Sequence, residues 1–136
     1  LPSDYVAKEE LRLEAYRRLA GVTTQAEVDD IRTEWEDRYG PLPAPAESLL
    51  QVGYLRAECH RLAINDIQIS GSASTGGTAK LAPLELKLSE TMRLRRISKG
   101  AKYKEDLGQL VVPLPRGVDA STFLSGFLRD LVPADT

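Results

Sequence analysis

Glu34, Glu36 and Asp37 crowd into the run Glu34-Trp35-Glu36-Asp37-Arg38-Tyr39-Gly40-Pro41-Leu42-Pro43, and carboxylates at that spacing can either exchange protons or pair with a cation. Glu34 and Asp37, three residues apart, are neighbours on a helix surface. General acid–base work needs a carboxyl group whose pKa burial has pushed toward neutrality. Nothing in the surrounding sequence predicts that burial, so no proton-transfer role is assigned. The ionic role fits better. Gly40 and the prolines after it read as a helix stop, and a helix C-terminus carries about half a negative charge, so each acid there costs about 0.3–1 kcal/mol at an exposed site. Arg38 offsets part of that cost. Acids held at so unfavourable a place form either a plain solvated face or a charged surface kept for something outside the chain.

Three other groups invite chemical readings. Gly71-Ser-Ala-Ser-Thr-Gly76-Gly77-Thr78 matches the phosphate loop G-x-x-x-x-G-K-[ST] except for its lysine, the residue that reaches the outer phosphates. A phosphate loop also needs a helix after it, whereas Pro83 and the alternating Leu84, Leu86 and Leu88 predict a strand, so a flexible hairpin loop over Gly71–Ala79 is expected instead. Cys59 and His60 are adjacent, but neighbouring helix side chains diverge, and a nucleophile and its base must lie within hydrogen-bond reach. One His and one Cys do not complete a zinc site of three or four ligands either; a core thiol and a surface imidazole are expected. Finally, Arg93, Arg95, Arg96, Lys99, Lys102 and Lys104 fall within twelve residues without an intervening acid. Such a cluster can hold phosphates, with Tyr103 as a stacking platform. This segment supports an alternative reading as a nucleic-acid-contacting accessory module, weakened by a pI near 5.5.

The elements that position these residues are legible from periodicity. Leu11, Ala15 and Leu19, with Leu13 and Tyr16 beside them, predict a helix from about Val6 to Ala20, closed by Gly21 in a left-handed cap. Thr24 and Glu27 form a capping-box pattern worth about 1 kcal/mol, and Val28, Ile31 and Trp35 give the second helix its buried stripe. Glu27, Asp30, Glu34 and Arg38 share its opposite face. Pro41, Pro43 and Pro45 predict a stiff extended connection, with Pro45 at the first position of a third helix running to about Ala63. That helix is apolar around a wide arc (Leu49, Leu50, Val52, Leu55, Ala57, Leu62) and is expected to be the most buried of the three.

After Asn65 the period changes. Ile67 and Ile69 predict a strand, Met92 onward a helix to about Ser98, Tyr103 and Leu110–Pro113 two further strands. Phe123, Leu124, Phe127, Leu128 and Leu131 predict a last helix capped by Asp119. The expected fold is α+β: a three-helix front (about 5–63), then a small mixed or antiparallel sheet with covering helices (about 66–132), all in one domain spanning 1–136.

Composition sets the outer bounds. At 136 residues the chain can bury about two-thirds of its unfolded surface. Residues 1–66 hold 13 acids against 8 bases and residues 67–136 hold 7 against 10, which disfavours DNA contact by the front half. No apolar run approaches the ~20 residues that span a bilayer, and the single cysteine fits a reducing cytoplasm. A start at Leu1-Pro2 without Met is expected of a piece of a longer protein.

Taken together, Leu1-Pro2-x-x-Tyr5, Arg12-Leu13-x-x-Tyr16-Arg17-Arg18-Leu19-Ala20 and Glu34-x-x-Asp37-Arg38-Tyr39-Gly40-Pro41-Leu42-Pro43 resemble the carboxy-terminal domain of the bacterial transcription-repair coupling factors (Mfd). The resemblance is specific over about residues 1–65; beyond it, element order and the Val111-Val112-Pro113 strand end agree. Tyr39 stands where that family usually has Phe, and Ala63 where a helix-ending Gly is common. The resemblance implies a parent protein that is an ATP-driven translocase on double-stranded DNA, displaces stalled RNA polymerase and recruits nucleotide-excision repair through UvrA. It implies that ATP and Mg are bound by motor domains elsewhere, that this domain holds no cofactor and is no enzyme, and that it docks on the amino-terminal UvrB-like module and masks the UvrA-binding surface there. Glu34, Asp37 and Arg38 match the family's docking charges.

Overall fold

Helix α1 spans Glu9–Ala20, starting three residues later than its apolar pattern predicts. Val6 is buried, but in a turn: the backbone N–H groups of Tyr5 and Val6 both donate to the Pro2 carbonyl, at 3.1 and 3.0 Å, and Arg12 Nη1 donates to the Val6 carbonyl at 2.8 Å. Gly21 ends α1 at φ −96°, not in the expected left-handed cap, so its conformational freedom is not what stops the helix. The computed structural model describes residues 1–72 and 74–133. No helix among them is long and apolar enough to cross a membrane.

Helix α2 spans Gln25–Tyr39, capped as expected by Thr24, whose hydroxyl accepts from the Glu27 N–H at 3.2 Å. The reciprocal arm reaches one residue further upstream than a simple capping box. Glu27 Oε1 accepts from the Thr23 hydroxyl at 2.9 Å and the Thr23 N–H at 3.3 Å, and these bonds hold its carboxyl below the usual carboxylate range. Helix α3 spans Ala44–Leu62 with Pro45 in its first turn and is the most buried of the three. The back half follows as β1 (Asp66–Ser72), β2 (Gly76–Ala82), α4 (Leu88–Ile97), β3 (Lys102–Lys104), β4 (Gln109–Leu114) and α5 (Ala120–Leu131). The four strands form one antiparallel sheet in the order β1-β2-β4-β3.

Two expectations fail here for identifiable reasons. The predicted Gly71–Ala79 loop is mostly strand, because Gly71 pairs with Gly77 and Ser72 with Gly76, and Ser74 and Thr75 are in a turn; Ala73 lies outside the described residues. The glycines serve close backbone approach rather than mobility. A Cβ on Gly71 would lie 2.5 Å from the Gly76 carbonyl oxygen, and one on Gly77 2.2 Å from that of Ser70. Leu84, Leu86 and Leu88 are not a strand. Both sides of β2 are already taken by β1 and β4, and Leu84 instead donates its N–H to the Gly108 carbonyl at 2.8 Å. Leu88, 79% exposed, opens α4.

Two apolar cores result. One gathers Leu19, Val22, Val28, Ile31, Trp35, Ala46 and Leu50 from the three front helices. The other packs α3 and α5 on one sheet face, through residues such as Leu55, Leu81, Val112, Leu124 and Leu128. Ala63, just past α3, takes the left-handed conformation at φ 58°. For an L-residue with a Cβ that conformation costs about 1–2 kcal/mol. Ala63→Gly is therefore expected to raise stability by up to about 1 kcal/mol, net of the extra unfolded-state freedom of glycine, read as a higher urea midpoint at unchanged slope.

Candidate docking corner

The acids of α2 sit at a corner braced from three directions. From the amino-terminal turn, the Tyr5 hydroxyl lies 2.9 Å from the carbonyl oxygen of Gly40, just past α2, and 3.2 Å from that of Trp35, so it ties that turn to the end of α2. Its ring packs against Tyr39, centroids 5.6 Å apart and tilted by 60°. Burial, then the charge of Glu36, raises the Tyr5 pKa, which keeps the phenol a donor at neutral pH. From beneath, Trp35 is only 3% exposed among the residues of the front core. From α3, Glu47 receives the Arg32 guanidinium on both oxygens, at 2.6 and 2.9 Å, and Gln51 Nε2 at 3.0 Å.

On this frame the predicted residues divide. Glu34 is partly covered, accepting a hydrogen bond from Arg18 Nη1 of α1 and lying 4.0 Å from Arg38 Nη1. Arg38 is exposed, its guanidinium 5.3 Å over the Tyr39 ring. Glu36 and Asp37 are exposed and make no ion pair among the described residues. Between α1 and α2 runs a groove of about 50 Å³, walled by Leu11, Ala15 and Trp35 and edged by Glu14, Arg18, Glu34 and Arg38. The structure thus brings Glu34 and Arg38 into one network and leaves Asp37 facing outward beside it. Exposed pairs of this kind contribute about 0–1 kcal/mol each. They are poor stabilisers but exchangeable, and an incoming guanidinium can compete for Glu34 while Asp37 offers an uncommitted carboxylate.

Arg18 and Tyr5 belong to the corner, and no role at it follows for them from sequence. Arg18 lies 16 positions from Glu34 and Tyr5 lies 35 from Gly40, so only the folded chain joins them. That they, like the acids, fall in the three segments that carry the family resemblance was the available signal.

The remaining candidates are placed elsewhere. Arg93 is half-buried and donates from Nη1 to the Leu131 carbonyl at 2.7 Å, neutralising the C-terminal end of α5. Arg95, Arg96, Lys99, Lys102 and Lys104 are exposed. Tyr103 is not a stacking platform: its hydroxyl donates to the Leu84 carbonyl at 2.7 Å, accepts the Leu86 N–H at 3.3 Å, and its ring packs on the sheet core. Cys59 is half-buried, its thiol pushed up to about 11 by burial and then by the charge of Glu58, so it is protonated and a poor nucleophile at neutral pH.

Comparison with known proteins sets this geometry in context. The family described as the TRCF domain matches residues 1–87. The transcription-repair-coupling factor of Mycobacterium tuberculosis is 42% identical over 116 residues, which cover 85% of this chain and 9% of that protein. The Escherichia coli factor is 37% identical over 68 residues, 50% of this chain and 6% of that protein. A crystal structure of the C-terminal domain of a transcription-repair coupling factor superposes with a TM-score of 0.73 at 15% identity, covering 97% of this chain and 85% of that one. The α+β fold is that of this domain, and the chain spans under a tenth of the length of the curated relatives it matches. It belongs to the TRCF-domain family of the transcription-repair coupling factors.

The corner and the α4–α5 contact each carry a prediction. The hydrogen bond from Arg32 holds the Glu47 carboxyl below its ordinary 4.5. A depressed folded-state pKa contributes stability above the unfolded value and loses it as pH falls. Glu47→Gln is expected to destabilise by no more than about 1 kcal/mol at pH 7, because the side chain is 42% exposed, and the difference from wild type is expected to shrink below about pH 4.5 in denaturant titrations. Arg93→Gln is expected to lower stability by about 1–2 kcal/mol, through the lost charge-assisted bond to α5, in thermal melts.

Proposed function

We propose that this chain is the releasable regulatory clamp of its parent coupling factor. In this reading it performs no catalysis and docks through Glu34, Asp37 and Arg38 on the amino-terminal UvrB-like module of the same protein, masking the surface there that binds UvrA. The parent acts in the cytoplasm as an ATP-hydrolysing translocase on double-stranded DNA that displaces stalled RNA polymerase, with ATP and Mg held in its motor domains. The observation that carries the reading is the exposed Asp37, without an ion pair among the described residues, beside the partly covered Glu34 on a corner braced by Tyr5, Trp35 and Glu47.

The physics suits a clamp. Mixed charges on a rigid frame orient a partner and set its register more than they add raw affinity. Each contact is modest, so the docked state is separable by a coupling of about 1–3 kcal/mol, the usual scale of allosteric linkage. By the same linkage, whatever binds the unmasked module favours release.

Double reversal, Glu34→Arg with Asp37→Arg, is expected to weaken binding to the isolated amino-terminal module by about 100-fold or more, measured as heat of association, with the far-ultraviolet circular dichroism unchanged. Affinity that survives both reversals removes these residues from the interface.

A further inference from the structure

The two edges of the sheet are finished differently. β3 is three residues long and carries exposed Lys102 and Lys104, the short, charged edge with which sheets block further pairing. β1 is seven residues long, Asp66-Ile67-Gln68-Ile69-Ser70-Gly71-Ser72, and has no lysine, arginine or proline. All its residues are exposed except the half-buried Ile67. Ile69 lies on the sheet face that α3 and α5 cover elsewhere, yet it is 50% exposed. Beside it opens a cleft of about 230 Å³ lined by Ile69, Gly71, Leu114 and Val118.

We propose that β1 is a self-complementary edge, through which two copies of this chain join antiparallel into one continuous sheet. The strand's own chemistry selects the occupant. In a register centred on Ile69, Ile69 meets Ile69 on the inner face, Ile67 meets Gly71, Gln68 meets Ser70 and Asp66 meets Ser72. Amide faces hydroxyl, Ile69 faces its own copy, Ile67 faces a glycine, and the one charge faces a neutral hydroxyl. The two Asp66 carboxylates end six residues apart, about 20 Å at the rise of an antiparallel strand, well beyond the ~8 Å screening length in physiological salt. Parallel pairing in register would instead set Asp66 against Asp66. The antiparallel arrangement is isologous and closed, so it ends at a dimer rather than a fibre. It uses none of the docking-corner residues and is independent of the proposed clamp.

The test is sedimentation velocity on the chain from about 10 μM to about 1 mM, the range of a weak edge-to-edge association. The wild type is expected to shift from monomer to dimer across that range. Ile69→Lys, which sets two ammonium groups against each other at the centre of the pairing, is expected to weaken the dimer at least about tenfold. Ser72→Lys, at an exposed position whose hydroxyl bonds Ser74 and Thr75 of its own turn, puts an ammonium opposite Asp66 of the second copy and is expected to tighten it, most at low salt, with the far-ultraviolet circular dichroism unchanged. A chain that stays monomeric throughout overturns the proposal. So does a dimer that Ile69→Lys leaves intact, or one that Ser72→Lys weakens.

Discussion

Burial of α3 on two sides at once is the constraint from which the rest of this structure follows. Ala46 and Leu50 belong to the helical core and Leu55 to the sheet core, so one rigid rod joins both halves. Close approach is secured by Gly53, where a Cβ would sit 2.7 Å from Leu19 Cδ1. Glycine in a helix interior costs about 1 kcal/mol relative to alanine, and here that cost admits Leu19 into the front core. The same double burial draws Glu58 inside at 1% exposure. A buried carboxylate is tolerable only when paired and hydrogen-bonded, and Arg61 supplies both bonds from one turn on, at 2.9 and 3.0 Å.

Because α3 is fixed, α2 is fixed, and with it the ionic corner. The bidentate Arg32–Glu47 clamp sets α2 against α3, and the Tyr5 hydroxyl ties the amino-terminal turn to the far end of α2. Energy and role separate cleanly here. Trp35 and its neighbours hold the corner together, while the charges above them contribute little to stability. A surface built this way can be engaged and released without loosening the fold beneath it, which is the property the proposed clamp requires. The half-exposed Arg18–Glu34 pair neutralises one acid of the corner, while Glu36 and Asp37 stay exposed without an ion pair among the described residues.

The back half divides its cations between structure and solvent. Arg93 caps α5, and the two lysines of β3 guard an edge. Read as a run, residues 93–104 look like one basic patch. In the fold they come from a helix, a turn and a strand with different tasks, and Tyr103 between them points its ring into the core. The opposite edge, β1, lacks any such guard, and the contrast between the two edges is a property of the sheet order rather than of either strand.

Sequence alone determined the α+β class, the three front helices, the Thr24 and Asp119 caps, the burial of Trp35 and the family, because periodicity, capping and motif spacing are local signals. It misassigned the Gly71–Ala79 segment and the alternating leucines at 84–88, where the deciding facts were which strands already had partners and how closely two backbones approached. Gly21 and Ala63 carry the same lesson in reverse: the glycine ends its helix in an ordinary conformation, while the alanine takes the left-handed one because Ile64 must turn back to donate its N–H to the Cys59 carbonyl. Which charges of the motif are spent internally and which face outward was decided only by tertiary structure. Arg18 reaches Glu34 across two helices, and no spacing along a chain encodes a contact that exists only once both helices have packed on α3.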